Sequence, residues 1–436
     1  LNLFELTLRL KGFPIAEAKK RLAKIQDIST DDYPTYLSRL KNDIVAYHQR
    51  ENPWYQEFAG SRPFTDWNSI PILSKKDLQR PLTERLSHGF TPQNVYVNKT
   101  SGSSGHPFIF AKDRFSHALT WAIIMDRYKG HGIVYSQSLE ARFYGIPLDR
   151  KGYRKERLKD WLSRRYRFPI FDLSDIKLEG FLESFRRKQF DYINGYTSSL
   201  VLFAKFLQKK GIHLKDVCPS LCHCIVTSEM LFDEDKELLQ RVLGVPVINE
   251  YGASELDLIA FTGIDNRFLV NSASLFVEIV DSNDQPVPNG TAGRIVITSL
   301  YNRAHPMIRY DIGDTGILAA ESTLKTPVLQ QLIGRTNDVA MLPDGKTIPG
   351  LTFYYVTKSV IEDDGNVKEF VVEQTRPSTF KIIYVSERLL KDEEIDTIKN
   401  ALHQYVAPQL TLEFERVPVL DRSSRGKLKQ FNTLLK

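Results

Sequence analysis

Hydrophobic positions change their spacing several times along the chain, and each change marks a new kind of segment. Residues 1–90 read as mostly helical, with turns at Asn52-Pro53 and Pro71. Ile72-Leu73-Ser74-Lys75-Lys76-Asp77-Leu78 reads as a strand end followed by a helix with Ser74 as its N-cap. Val95-Tyr96-Val97 is a short β-type run that enters a Gly/Ser-rich turn and returns through Phe108-Ile109-Phe110. Helix, strand and turn signals then alternate to about residue 260, the order expected of α/β architecture. From 268 to 320 the chain is strand-rich: Phe276–Val280 and Arg294–Thr298 flank the turn residues Asp284-Gln285-Pro286 and Pro288-Asn289-Gly290. After Gly334-Arg335-Thr336-Asn337-Asp338 a smaller α+β unit begins. In it Phe370–Glu373 and Phe380–Tyr384 pair as strands, and Ile395, Ile398, Leu402 and Tyr405 share one helix face. The expected organisation is a large α/β domain over 1–333 and a small C-terminal domain over 334–436.

Composition narrows the class. At 436 residues, with 42% hydrophobic and 26% charged residues, the chain suits two globular units with ample apolar material for their cores. No apolar run approaches the length of a membrane-spanning helix, and Leu1–Leu6 lacks the long apolar core and cleavage site of a signal peptide. The first residue is Leu rather than Met, which fits a trimmed start. The net charge of +6 suits anionic small molecules or an acidic protein and does not call for nucleic acid. The three cysteines, Cys218, Cys222 and Cys224, sit in one stretch, which fits a reducing, cytoplasmic setting rather than a disulfide framework. Leu221–Thr227 alternates like a strand, so neighbouring side chains point apart and the Cα atoms of Cys222 and Cys224 lie roughly 7 Å apart. Buried structural cysteines are expected there rather than a metal site.

The strongest concentration of basic residues is Lys151–Arg167, with Arg154, Lys155, Arg157, Lys159, Arg164, Arg165 and Arg167 interleaved with Trp161 and Tyr166. It reads as a solvated helix face, or as a landing site for an acidic carrier protein or for the phosphates of coenzyme A.

Thr100-Ser101-Gly102-Ser103-Ser104-Gly105-His106-Pro107 is the first chemical signal. Two glycines let the backbone curl until several N–H groups face one anion, and four hydroxyls add donors. No Gly-Lys-Ser/Thr follows, so it is not a Walker loop. Alone, the octet reads equally well as a flexible turn. Further motifs follow in fixed order: Asn249-Glu250-Tyr251-Gly252-Ala253-Ser254-Glu255, Ile308-Arg309-Tyr310-Asp311-Ile312-Gly313-Asp314 and Leu332-Ile333-Gly334-Arg335-Thr336-Asn337-Asp338. Near the end, Arg422-Ser423-Ser424-Arg425-Gly426-Lys427-Leu428-Lys429 presents a lysine on a loop.

In that order and spacing, the set resembles the adenylate-forming superfamily of acyl-CoA synthetases, peptide-synthetase adenylation domains and luciferases. Within it the chain is most similar to the phenylacetate–CoA ligase branch. Asp191–Leu200 is similar to that branch's Gly-x-Pro-Ser-x-Leu segment, and Phe108 stands where other branches carry a lysine after the loop. The resemblance runs from about residue 60 to the C-terminus. It implies an α/β fold in which a large N-terminal domain has stacked α/β sheets and a small β subdomain, followed by a mobile α+β C-terminal domain. It also implies ATP-dependent activation of a carboxylic acid to an acyl-AMP, then transfer to coenzyme A.

Carried over by position, Thr100, Ser101, Gly102, Ser103, Ser104 and Gly105 cradle the β- and γ-phosphates, and Tyr251 stacks on adenine within Glu250–Ser254. Glu255 ligates Mg²⁺, Asp314 accepts the ribose hydroxyls, and Arg335 supports the ribose and the hinge. Lys427 bridges the acid carboxylate and the α-phosphate, with Arg425 and Lys429 as rival cations. The hinge falls at Asn337 or Asp338, where the family's usual aspartate is replaced by Asn337. Leu256–Phe268 contains neither Cys nor His, so the zinc of some relatives is not expected. The acyl pocket falls near Tyr144-Gly145, Gly195-Tyr196 and Ser228-Glu229. The tyrosines there suit an aryl or similar hydrophobic acid, or are plain core. Three readings remain open: a CoA ligase, an enzyme that loads a carrier protein or forms an amide, and a nucleotide-binding protein without catalysis. A homodimer is expected only from the family.

Overall fold

The computed structural model describes residues 3–435, except residue 63, segments 101–107, 146–149, 171–172, 336–338, residue 346, segments 350–352, 354–356 and 358–365, residue 407 and segment 422–427. The side chains of 150–152, 335, 339, 347–349 and 405 are also outside the description.

Four helices open the chain: α1 (Leu3–Leu10), α2 (Ile15–Gln26), α3 (Tyr33–Glu51) and α4 (Pro53–Ala59). The expected turn at Asn52-Pro53 separates α3 from α4. Asn52 caps α4 by accepting the Tyr55 N–H at 2.8 Å, and Pro53 takes the first helical position, where a missing N–H is tolerated. The helix expected after Ser74 is instead a single 3-10 turn, Asp77–Gln79. Ser74 donates its N–H and its hydroxyl to the Asp77 carboxylate at 2.8 and 2.6 Å, so the serine is a donor here and caps no helix. After α5 (Leu82–Arg85), the hairpin β1 (Tyr96–Lys99) and β2 (Ile109–Lys112) brackets the Gly/Ser segment, with Lys99 opposite Ile109.

Helices and strands then alternate as expected: α6 (Arg114–Gly130), β3 (Glu140–Phe143), α7 (Arg150–Leu162), β4 (Arg165–Phe168), α8 (Asp175–Arg187), β5 (Tyr192–Tyr196), α9 (Thr197–Lys209), α10 (Leu214–Val217), β6 (His223–Thr227), α11 (Asp233–Leu243), β7 (Val247–Ala253), β8 (Asp257–Thr262) and β9 (Phe268–Val270). They build a seven-stranded sheet in the order β4-β3-β5-β6-β7-β8-β9, parallel from β4 to β7 and antiparallel beyond. One face packs on α8, α9 and α11 through a Phe-rich core that includes Phe143, Phe168, Phe185 and Phe203. The other packs on α2 and α6 through Leu22, Leu119, Ile123 and Ile225. Covered on both sides, β5 is buried at every position, as an interior parallel strand should be.

The strand-rich stretch forms an antiparallel sheet of β10 (Leu275–Val280), β11 (Gly293–Ser299), β12 (Tyr310–Leu318) and β13 (Leu329–Arg335). Its core joins that of the hairpin through Phe108, Phe110, Ile297 and Tyr310. The remaining strands are β14 (Val339–Met341), β15 (Thr347–Pro349), β16 (Val367–Arg376), β17 (Thr379–Ser386), β18 (Thr411–Arg416) and β19 (Phe431–Thr433), with helix α12 (Asp392–Tyr405). Strands β16–β19 form a sheet in the order β18-β17-β16-β19, and the expected pairing is present, with Val372 opposite Ile382. Helix α12 buries Ile398 and Leu402 completely, in a core formed only by residues from Ala340 onward. Among the described residues, the polar contacts of this smaller unit with the large one include the exposed ion pairs Lys209–Glu387 and Lys368–Asp175, which contribute little, and a hydrogen bond in the cleft described below.

The basic stretch divides in two. Arg154, Lys155 and Lys159 stay exposed on α7, but β4 turns its arginines inward. Arg167 donates to both Asp160 oxygens at 2.8 and 2.9 Å, and Arg165 pairs with Glu140 at 2.9 Å. Cys218 and Cys224 are fully buried and Cys222 is partly so, and the Phe190 N–H donates to the Cys218 sulfur at 3.3 Å. No helix among the described residues is long and apolar enough to cross a membrane.

Candidate active site

A cleft of about 1240 Å³ lies at the carboxyl ends of the parallel strands, where an open α/β sheet leaves room for a ligand. Thr100, Tyr144, Ser228, Glu229 and Asp314 line it, as does the whole run from Glu250 to Glu255. The C-terminal unit adds Asp421 and Leu428–Phe431 to the same walls.

Thr100 directly follows β1, at the root of the Gly/Ser segment. Its N–H donates to the Phe108 carbonyl at 3.0 Å, and its hydroxyl oxygen accepts the Phe108 N–H at 3.0 Å. The two bonds close the base of the segment. Ser101, Gly102, Ser103, Ser104 and Gly105 themselves lie outside the described residues.

Glu250 and Tyr251 lie within β7, opposite Phe261 and Ala260 of β8, and the pairing slips by one residue between Tyr251 and Gly252. A Cβ at Gly252 would sit 2.5 Å from the Asp257 carbonyl oxygen, so this turn closes only over a glycine. The Tyr251 hydroxyl donates to Asp314 on β12 at 2.5 Å, and Asp314 is the register partner of Arg335 on β13. Three motifs far apart in sequence thus meet in a few ångströms. The Arg335 side chain lies outside the description.

Glu255 is 6% exposed, and its Oε1 accepts the Tyr310 hydroxyl at 3.0 Å. Burial first, and Glu255 second, push the Tyr310 phenol far above its ordinary pKa, so it stays a donor. The other Glu255 oxygen accepts no hydrogen bond among the described residues. No cluster of three or more His, Cys, Asp or Glu residues able to hold a metal occurs among them. One available carboxylate on the wall of this cleft fits magnesium, which keeps several waters and takes its remaining ligands from phosphates. Glu250 accepts the hydroxyls of Thr227 and Tyr128 at 3.1 and 3.2 Å, and burial pushes its carboxyl above the ordinary range.

The expected acyl-pocket residues separate. Tyr144 is on the cleft wall, with Tyr196 packed behind it at a ring distance of 4.6 Å and only 4% exposed. A Cβ at Gly195 would lie 2.6 Å from the Phe143 Cβ, so that glycine serves the contact between β3 and β5. Ser228 takes a left-handed φ of 71° as the chain leaves β6. Glu229 accepts the Ser198 N–H at 2.7 Å and the Leu428 N–H at 2.9 Å. Lys427 lies outside the described residues, but Leu428, which follows it, reaches this cleft. Sequence reading missed Arg142, a cleft residue stacked on Tyr144 at 4.0 Å. Nothing in its local pattern set it apart from the other arginines of this basic chain.

No family model matches the chain. It is 23% identical over 440 residues to a phenylacetate–coenzyme A ligase of Thermus thermophilus, covering 91% of this chain and 95% of that one. It is 20% identical over 375 residues to the protein CapK of Staphylococcus aureus, covering 83% and 78%. Among solved structures it overlays on 2-hydroxyisobutyryl-CoA ligase in the postadenylation state with R3-HIB-AMP, at a TM-score of 0.69 and 17% identity, covering 91% of this chain and 88% of that one. The fold is that of the adenylate-forming ligases. Against the same ligase in its thioesterification state with 2-HIB-AMP and CoA, the TM-score is 0.54 at 16% identity, covering 93% and 90%.

Proposed function

We propose that this protein is an AMP-forming acid–CoA ligase. The observation that carries the proposal is the convergence of Thr100, Tyr251, Glu255 and Asp314 on one cleft, whose wall is completed by the segment that follows Lys427. The relatives named as phenylacetate–CoA ligases support the same reading.

In the first step an oxygen of the acid attacks the α-phosphorus of ATP, the bond to the β-phosphate breaks, and pyrophosphate leaves with the acyl-AMP formed. Two anions approach each other, so fixed donors and positive charge must offset their repulsion. Segment 100–105 holds the departing phosphates, Tyr251 stacks on adenine, Asp314 accepts the ribose hydroxyls with Arg335 beside it, and Lys427 bridges the two reacting anions. Glu255 would hold a magnesium ion, which would supply positive charge to the phosphates. In the second step the sulfur of coenzyme A attacks the acyl carbon and AMP leaves. Residues 1–333 form the adenylating domain and 334–436 the domain that reorients between steps, about a hinge at Asn337 or Asp338.

Pyrophosphate release with ATP, Mg²⁺ and a panel of carboxylic acids, with and without CoA, tests the proposal. Acid-dependent release accompanied by an acyl-CoA product is expected; nucleotide binding with no acid-dependent release would sink it. One observation favours a carrier protein as an alternative acceptor. Helix α7 exposes Trp161 at 74% and Leu158 at 57% beside Arg154, Lys155 and Lys159, an apolar and basic face suited to an acidic protein. Turnover with a carrier and none with CoA would select it.

A further inference from the structure

The cleft wall beside Tyr144 carries a guanidinium, Arg142, with the carboxylates of Glu140 and Glu250 near it. Arg142 lies on β3 two residues before Tyr144, and its guanidinium stacks 4.0 Å from that ring. Its Nη1 donates to Glu140 at 2.7 Å, while its buried Nε has no hydrogen-bond partner among the described residues. The side chain keeps 21% of its surface exposed, and it lines the cleft.

Charge balance makes this position unusual. Glu140 is 2% exposed and serves two guanidiniums, Arg142 through Oε1 and Arg165 through Oε2, and it also accepts the Tyr192 hydroxyl at 3.2 Å. Both of its oxygens are therefore engaged. The second carboxylate nearby, Glu250, accepts Thr227 and Tyr128 hydroxyls rather than the guanidinium. Arg165 is further held by the Tyr135 hydroxyl, which leaves Arg142, among the described arginines, with donor capacity toward the cleft. Trp121 and Ile124 line the same cleft, so the region is partly apolar as well. An aryl ring can lie against Tyr144, but a wholly hydrophobic acid would leave the guanidinium desolvated with donors unmet.

We infer that the acid this cleft activates carries a second acceptor group, a carboxylate, carbonyl or hydroxyl distal to the carboxyl that reacts, and that Arg142 receives it. The inference rests on the ligase reading above and narrows its substrate from hydrophobic acids to polar-substituted ones. Arg142 is then a specificity-determining residue, since a site built to hydrogen-bond a polar group discriminates strongly against the analogue that lacks it.

The test is a matched panel of aryl and alkyl acids with and without a second carboxylate, carbonyl or hydroxyl, assayed by pyrophosphate release with wild type, Arg142→Gln and Arg142→Lys. The expected result is a wild-type preference of about tenfold or more in kcat/KM for the substituted acids, carried mainly by KM for the acid. Arg142→Gln should collapse that ratio, and Arg142→Lys should restore part of it. Binding of non-reactive acyl-sulfamoyl adenosines bearing the same acyl groups should show the same ranking, which covers a variant too unstable to assay. A wild-type preference for unsubstituted acids, an equal loss across the panel in Arg142→Gln, or a change seated in KM for ATP or CoA would overturn the assignment. No acid-dependent release by wild type would overturn the ligase reading together with it, whereas release with an unchanged ratio would overturn this inference alone.

Discussion

The Glu229 carboxylate joins Ser198 to Leu428: one oxygen accepts the N–H at the start of α9 at 2.7 Å, the other an N–H of the C-terminal unit at 2.9 Å. Leu428 follows Lys427 directly, so this contact holds the chain next to the proposed catalytic lysine against the large unit. On the proposed function, this contact belongs to the arrangement in which the acyl-AMP forms. Charge-assisted hydrogen bonds contribute about 1.5–3 kcal/mol. Glu229→Ala should therefore slow pyrophosphate release by about tenfold or more, while thioester formation from supplied acyl-AMP falls much less. Equal losses in the two half-reactions would show that Glu229 only supports the fold.

Lys427 has rivals in Arg425 and Lys429, and the half-reactions separate them. Lys429 donates to Asn432 at 3.2 Å and lines the cleft, which accounts for it as a positioned wall residue. Lys427→Ala should cost on the order of a hundredfold in adenylation, the size of effect seen when a donor to a developing charge is removed. Lys429→Ala should cost less than about tenfold. Measured pyrophosphate release in the two variants decides the matter, and the reverse ranking would move the role to Lys429.

How much of this was legible from the sequence depends on how locally each residue acts. Tyr251, Glu255 and Asp314 stand in motifs whose order resembles that of the adenylate-forming superfamily, so the resemblance brought them to one site, and all three line one cleft, Tyr251 from β7, Glu255 from just beyond it and Asp314 from β12. The paired strands of the C-terminal unit followed from alternation, as Val372 opposite Ile382 shows. Glu229 as a bridge was not legible, because its meaning depends on Ser198 and Leu428, 31 and 199 residues away. Arg165 and Arg167 read as surface because their charge hid the strand period, and their partners Glu140 and Asp160 carry no local mark. Ser74 misled because a serine before a polar run is also what a turn closed by Asp77 looks like.

Tyr251 has two separable features, a ring and a hydroxyl. The hydroxyl donates to Asp314, and the ring faces the cleft proposed for adenine. Tyr251→Phe keeps the ring and should change KM for ATP by less than about fivefold, whereas Tyr251→Ala should raise it by about tenfold or more, since base–aromatic stacking contributes about 1–3 kcal/mol. Asp314→Ala should raise KM for ATP as well, and its effect should shrink for a nucleotide lacking the 2′-hydroxyl. Equal effects of Phe and Ala at position 251 would assign the residue's role to the hydroxyl bond instead.

Two of the three histidines buried among the described residues, His48 and His117, set a readable acid limit on stability. His48 is fully buried, its Nε2 bonded to the Asn302 carbonyl at 2.9 Å and its Nδ1 to Ser87 at 3.2 Å, and burial lowers its pKa to about 4. His117 accepts the Trp121 indole N–H at 3.2 Å and is likewise lowered by burial to about 4. The unfolded chain binds these protons near pH 6.5 and the folded chain only near 4, so each contribution is full above 6.5 and is lost as the pH falls toward 4. A shift of that size corresponds to roughly 3 kcal/mol for each histidine. Burial raises the carboxyls of Asp113 and Glu278, which act in the opposite sense, so the net slope alone decides nothing. The useful comparison is His48→Gln, which keeps a donor for the Asn302 carbonyl but cannot be charged. Its thermal midpoint should lie below that of wild type at pH 7.5, and the gap should narrow steadily between pH 6.5 and 4.5. Parallel curves for the two proteins across that range would show that His48 does not resist protonation in the folded state.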